Sequence, residues 1–287
     1  MGKIIGIIWI KGGVGKTSVV SALGAALANK FDKKVLLVDA NFSAPNLALH
    51  LGLVNPEITL HHILNNRTNV NEAIYETEYG FYIIPGALVY RKVNPHKLKD
   101  KIKHLKDYYD IILIDSSPTL NEEVLATMIA SDELFVVTTP DHVTLSTTLR
   151  AVKLAKQRKT PIKGLILNKV YNKNFELSLE EIEEAADCNV LAVLPHEINI
   201  LEALSKTTPS TLHKQSESTF EYIKLAGALI GEEYKDRRFK SKLKRLFGKI
   251  PKQDINRTVF REERKWIFKL VDEGKRNNLM IFGISFF

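Results

Sequence analysis

The chain has 287 residues, 45% hydrophobic and 26% charged, with a net charge of +8. This is enough for one sizeable α/β domain plus a further element, and the composition excludes a chain disordered throughout. A single cysteine, Cys188, excludes a disulfide framework and any CxxC metal site, and no apolar run approaches the ~18 residues of a membrane span.

The first element is the apolar run Ile4 to Ile10 (IIGIIWI), which reads as a strand entered at once, without a signal peptide, so a cytoplasmic setting is expected. Lys11-Gly12-Gly13-Val14-Gly15-Lys16-Thr17-Ser18 follows, and a helix-like stretch from Val19 to Ala28 comes next. Further strand candidates are Lys34–Asp39, Phe81–Pro85, Asp110–Asp115, Glu133–Thr139, Ile162–Asn168 and Asn189–Pro195. Their nearly continuous apolar character predicts strands covered on both faces. Helical patterns lie between them at about 95–107, 121–130, 144–157, 178–187 and 216–230. Strand–helix alternation predicts a doubly wound, mostly parallel sheet of about seven or eight strands with helices on both faces. Ligands of such sheets sit beyond the carboxyl ends of the strands. There lie Lys11–Ser18, Asp39, Asp115, Asn168 and Pro195.

Strand, glycine-rich turn and helix start form the setting of a phosphate-binding loop. Gly12, Gly13 and Gly15 let the backbone curl so that successive N–H groups of the loop, through Val14 and Ser18, face one phosphate. In that setting Lys16 neutralises the β- and γ-phosphates and the Thr17 hydroxyl ligates Mg²⁺. Asp115 ends the strand Ile111–Ile114 and offers one carboxylate to the same ion. The expected cofactors are therefore ATP and Mg²⁺.

Ile10 stands where the ordinary pattern has its first glycine, and Lys11 opens the turn. This pairing resembles the deviant Walker A signature of the MinD/ParA ATPases. The resemblance implies that Lys11 reaches the nucleotide of a second copy in an ATP-dependent homodimer. Ser116-Ser117-Pro118 resembles the family's second switch, and Val38-Asp39-Ala40-Asn41 through Pro45-Asn46 resembles the first. By resemblance Asp39 belongs with the metal and catalytic set. Asn41 replaces the aspartate that orients the attacking water, and an amide cannot act as a general base, so slow or partner-stimulated hydrolysis is expected. The resemblance also implies base contacts from Asn168, Pro195 and Glu197, the last standing in place of the more usual Asp. It covers about residues 1–230.

The charge is concentrated downstream. Residues 235–252 carry nine Lys/Arg against Asp236 alone, an excess equal to that of the whole chain. Phe239, Leu243, Leu246, Phe247 and Ile250 fall on one helical stripe, which suits an anionic membrane surface. Residues 243–248 (LKRLFG) resemble the membrane-targeting helix of the MinD branch. Three segments are thus expected: an ATPase domain over 1–232, a basic amphipathic helix over 233–252, and a charged helix with an apolar terminus over 253–287. An unidentified protein partner is expected, with the chain peripheral on the inner face of the cell membrane. Retention by nucleic acid, as in ParA-type partition ATPases, is the competing reading, because phosphate contacts follow charge alone. Iron–sulfur carriers of the Mrp type need cysteine pairs, and ligases of the dethiobiotin-synthetase type lack the Lys11 signature. His61-His62 are expected as exposed helix residues rather than metal ligands, and Cys188 as a small buried hydrophobe.

Overall fold

A computed structural model of the chain describes residues 2–9, 13–89, 92–232 and Tyr234. Eight strands form one sheet: β1 (Lys3–Ile8), β2 (Val35–Ala40), β3 (Tyr75–Glu76), β4 (Tyr82–Ile84), β5 (Ile111–Ser116), β6 (Glu133–Thr138), β7 (Ile162–Val170) and β8 (Val190–Pro195). Their order is β3-β4-β2-β5-β1-β6-β7-β8, and every neighbouring pair is parallel except β3 with β4. The eighth strand is β3, two residues long at an edge and too short to carry any periodicity.

Among the described residues ten α-helices connect and cover the strands: α1 (Lys16–Phe31), α2 (Leu47–His50), α3 (Leu60–Leu64), α4 (Leu98–Ile102), α5 (Glu122–Ala130), α6 (His142–Gln157), α7 (Leu179–Ala186), α8 (Ile198–Ser205), α9 (Ser210–His213) and α10 (Glu217–Ile230). Side-chain caps fix several starts. Asn121 accepts from Glu123 N–H at 3.0 Å, Asp141 from Thr144 N–H at 2.9 Å, and Ser178 forms a capping box with Glu181. The pattern at 95–107 resolves into α4 between two 3-10 turns, Pro95–Lys97 and Lys103–Asp107.

Side-chain alternation along β1 divides the core. Ile5, Ile7 and Trp9 join α1 and α10 in one cluster. Ile4 joins α3 and α4 on the opposite side, while Ile8 joins α5, α6 and α7. Helix α1 buries eleven of its sixteen residues, which explains its weak amphipathic pattern: sheet lies beneath it and α10 beside it. None of the described helices is long and apolar enough to cross a membrane.

Two expectations are corrected. His61 is fully buried, not exposed: its Nε2 lies 3.1 Å from the Phe42 carbonyl, and its Nδ1 accepts from Ala87 N–H at 3.0 Å. A short helix packed on the sheet has no outward turn to spare, so the imidazole bridges two backbone segments. Cys188 is half-buried against the β7/α7 cluster, because it sits in the turn after α7 rather than on a strand. The stripe Phe239, Leu243, Leu246, Phe247 and Ile250 and the segment 253–287 lie outside the described residues.

Candidate nucleotide site

Strand register assembles the centre of the site. Asp39 and Asp115 are direct partners across β2 and β5, and Asp115 is opposite Ile7 of β1. The loop that follows β1 therefore begins beside both carboxylates. Its turn needs left-handed backbone at Gly13 (φ 84°) and Gly15 (φ 88°), which side-chain-bearing residues adopt at a cost. A Cβ on Gly15 would also sit 2.6 Å from Asn168 Nδ2. Helix α1 then starts at Lys16 with no side-chain cap, leaving its first N–H groups for an anion.

Polar groups converge at the base of the loop. Lys16 Nζ pairs with Asp115 Oδ1, both buried. Thr17 Oγ1 lies 2.7 Å from Asp115 Oδ2 and 3.1 Å from Asn46 Oδ1. Asp39 uses both oxygens to fold the segment after β2, accepting from Asn41 N–H at 3.2 Å and Leu47 N–H at 3.0 Å. Its carboxyl is pushed up to about 7, first by complete burial and then by Asp115 opposite, against the opposing pull of those N–H bonds and Lys16. Two carboxylates, a hydroxyl and an amide oxygen around one ammonium are hard oxygen donors of the kind that hold Mg²⁺.

Above them lies a cleft of about 320 Å³. Its walls include Gly13, Val14, Gly15, Lys16, Thr17, Ser18, Asn41, Asn168, Pro195 and Glu197, so ten expected residues meet there. Asp39 and Asp115 are fully buried beneath it. Lys11 and Gly12 lie outside the described residues. Trp9, Asn46, His50, Pro118, Lys169, Leu201 and Tyr222 also border the cleft and were not singled out from sequence as site residues. Asn46 and Pro118 had a signal, in the segments resembling the first and second switches. The others come from strand ends and helices that only the fold brings round. His50 is held below the usual imidazole range, chiefly by burial.

Several contacts tie the walls together. Asn168 Nδ2 donates to the Val14 carbonyl at 2.6 Å, and Lys169 Nζ to the Gly13 carbonyl at 2.5 Å. Asn41 Nδ2 donates to the Ala44 carbonyl at 2.6 Å, while its Oδ1 is buried without a partner. Ser43 donates through both N–H and hydroxyl to the Glu123 carboxylate, joining the first switch segment to α5. Glu197 accepts from Glu217 N–H at 3.1 Å, Ser218 N–H at 3.3 Å and Ser218 Oγ at 2.6 Å, so it caps α10 while lining the cleft. Burial pushes this carboxyl up, but the hydroxyl and N–H donors outweigh it and hold it below the usual value. That cap gives Glu197 a structural role the sequence did not disclose.

An anion-binding turn, a lysine above paired carboxylates and an orphaned acceptor on the wall fit Mg²⁺-nucleotide. Comparison with known proteins agrees. Residues 2–164 match the family model described as an AAA domain. An uncharacterised ATP-binding protein of Methanocaldococcus jannaschii is 32% identical over 250 residues, 83% of this chain and 94% of that protein. The crystal structure of the Pyrococcus furiosus cell division ATPase MinD superposes with a TM-score of 0.77 at 34% identity, over 80% of this chain and 99% of that one. The septum site-determining protein MinD of Pyrococcus horikoshii, complexed with Mg-ADP, gives 0.76 at 35% identity, over 80% and 96%. The loop, the paired strand ends and these relatives together make the chain a member of the MinD/ParA family of P-loop ATPases.

Proposed function

We propose that the protein is a MinD-like ATPase that binds Mg-ATP, dimerises through its nucleotide sites and attaches reversibly to an anionic membrane to position a protein partner. The observation that carries the reading is the convergence of Lys16 and Thr17 on Asp115 at the foot of the glycine turn. With nucleotide bound, Lys16 would transfer from Asp115 to the β- and γ-phosphates. Asp115, Thr17 and Asp39 would then face Mg²⁺, whose charge favours both carboxylates ionised. The first switch (39–46) and the second (115–121) would report the γ-phosphate. Lys11 would bridge to the second copy.

Asn41 sets the rate in this reading. Its free Oδ1 can hold a water but cannot take its proton, so turnover is slow without an activating partner. The basic segment 235–252, with its stripe from Phe239 to Ile250, supplies weak membrane affinity per copy. Two copies on one dimer multiply it by roughly 10²–10⁴. Support for the reading comes from sequence pattern and from the family.

Liposome co-sedimentation of the full chain with ATP or ADP, for wild type and Leu243→Glu, tests it. Wild type should pellet with anionic vesicles in ATP only, and Leu243→Glu in neither nucleotide. Equal binding in all four conditions sinks the switch, and retention by DNA in place of vesicles selects a partition-type ATPase. Lys11→Ala should retain nucleotide but lose ATP-dependent dimerisation in sizing experiments.

A further inference from the structure

Trp9 follows the last residue of β1, is 1% exposed and borders the nucleotide cleft, yet its indole Nε1–H has no hydrogen-bond partner among the described residues. Buried tryptophans ordinarily pair this N–H, because leaving a buried donor unmade is unfavourable. Simple filling of the core would not need an N–H at this position. A ligand that brings an acceptor to the cleft would.

The fold says which part of the ligand. Alternation with Ile5 and Ile7 puts the indole in the α1/α10 cluster, together with Tyr222, which borders the same cleft. Asn41 and Pro118 follow β2 and β5, on one side of β1 in the sheet. Asn168 in β7, Pro195 at the end of β8 and helix α10 lie on the other side. Trp9 shares its cluster with Tyr222 of α10, on the side of Asn168 and Pro195 where sugar and base contacts are expected, while Leu47 and Ala48 of α2 belong to the same cluster on the switch side.

We propose that Trp9 is a nucleotide-binding residue, its Nε1–H donating to an acceptor in the sugar and α/β-phosphate portion of the bound nucleotide. This rests on reading the cleft as a nucleotide site. The donor has no partner until nucleotide binds, and ADP and ATP use it equally. It also makes Trp9 a built-in optical reporter, since the chain has just two tryptophans, Trp9 and Trp266.

The test uses full-length protein carrying Trp266→Phe, so that Trp9 alone emits. Titration with Mg-ADP and with the slowly hydrolysed analogue Mg-ATPγS should change its emission, and an unchanged spectrum on saturation overturns the contact. Calorimetric titration of Trp9→Phe should show roughly threefold to tenfold weaker binding of both nucleotides, the fold-change of one ordinary hydrogen bond. Trp9→Phe also leaves a small cavity where the second indole ring was, so its ligand-free Tm should fall by a few degrees whether or not the contact exists. Affinity within twofold of wild type overturns the proposal, as does a loss confined to Mg-ATPγS. If wild type binds neither nucleotide, the reading of the cleft itself fails. If wild type binds and Trp9→Phe binds equally well, only the role of Trp9 fails.

Discussion

Replacing Lys16 with Met would test the electrostatics beneath the cleft directly. Lys16 is 7% exposed and Asp115 fully buried, with Asp39 paired to it across the strands. Removing the ammonium leaves two facing buried carboxylates, and breaking such a pair costs about 3–5 kcal/mol. For a domain of this size that lowers Tm by roughly 6–20 °C. The variant escapes part of the cost by protonating Asp39, whose carboxyl is pushed up by burial and by Asp115 opposite. That route opens as pH falls, so at pH 5.5 the penalty should drop below half its value at pH 8. Adding Asp115→Asn to Lys16→Met removes one carboxylate and should recover at least about 1 kcal/mol, a coupling within the usual range for residues in contact. The assay is thermal unfolding of nucleotide-free protein at both pH values. A penalty under about 1 kcal/mol at pH 8, or one equal at the two pH values, refutes the account.

The wild-type Asp39 carboxyl rises from 3.8 to about 7 on folding, so its contribution favours the empty protein at low pH and is lost as pH climbs towards 7. Between pH 5 and 8 wild type should lose on the order of 1–3 kcal/mol relative to Asp39→Asn, and parallel pH profiles would contradict this. Glu197→Ala should cost about 1–2 kcal/mol by taking the acceptor from the Glu217 and Ser218 N–H groups while the Ser216 cap of α10 remains, read by chemical denaturation; a change of a few tenths would leave these bonds without energetic weight. His61→Leu should cost about 1–3 kcal/mol because the Phe42 carbonyl and Ala87 N–H lose their partner, and a neutral result in the same assay would argue that water replaces the ring. Asn41→Asp supplies a base where the amide had none, and steady-state ATP turnover should rise at least tenfold, within the range general-base catalysis contributes. A lower rate would show that the carboxylate cannot reach the water.

Most of the sheet was legible because strands buried on both faces write long apolar runs, as at Ile111–Ile114 and Leu134–Val137. Glycines at 13 and 15, and Lys16 and Thr17, were legible because the turn geometry and phosphate chemistry demand those residue types. Helices α2, α3 and α9 were not, since four or five residues carry too little period to read. His50, Leu201 and Tyr222 reach the cleft from three separate helices, α2, α8 and α10, and their convergence exists only after the fold closes. His61 misled because a polar side chain in a short helix ordinarily faces water, whereas here two backbone groups claim both ring nitrogens.

The place of β1 in the sheet bears on how the molecule comes apart. Held on both sides by β5 and β6, it carries the phosphate turn on a strand whose amides should exchange with solvent only through global opening. The β3–β4 edge, with a two-residue outer strand, should exchange through local fraying. Loss of that edge by proteolysis or mutation would leave β1 paired on both sides, whereas whatever melts β1 melts the sheet. In hydrogen-exchange terms, the strand that leads into the nucleotide turn belongs to the last unit of the protein to open.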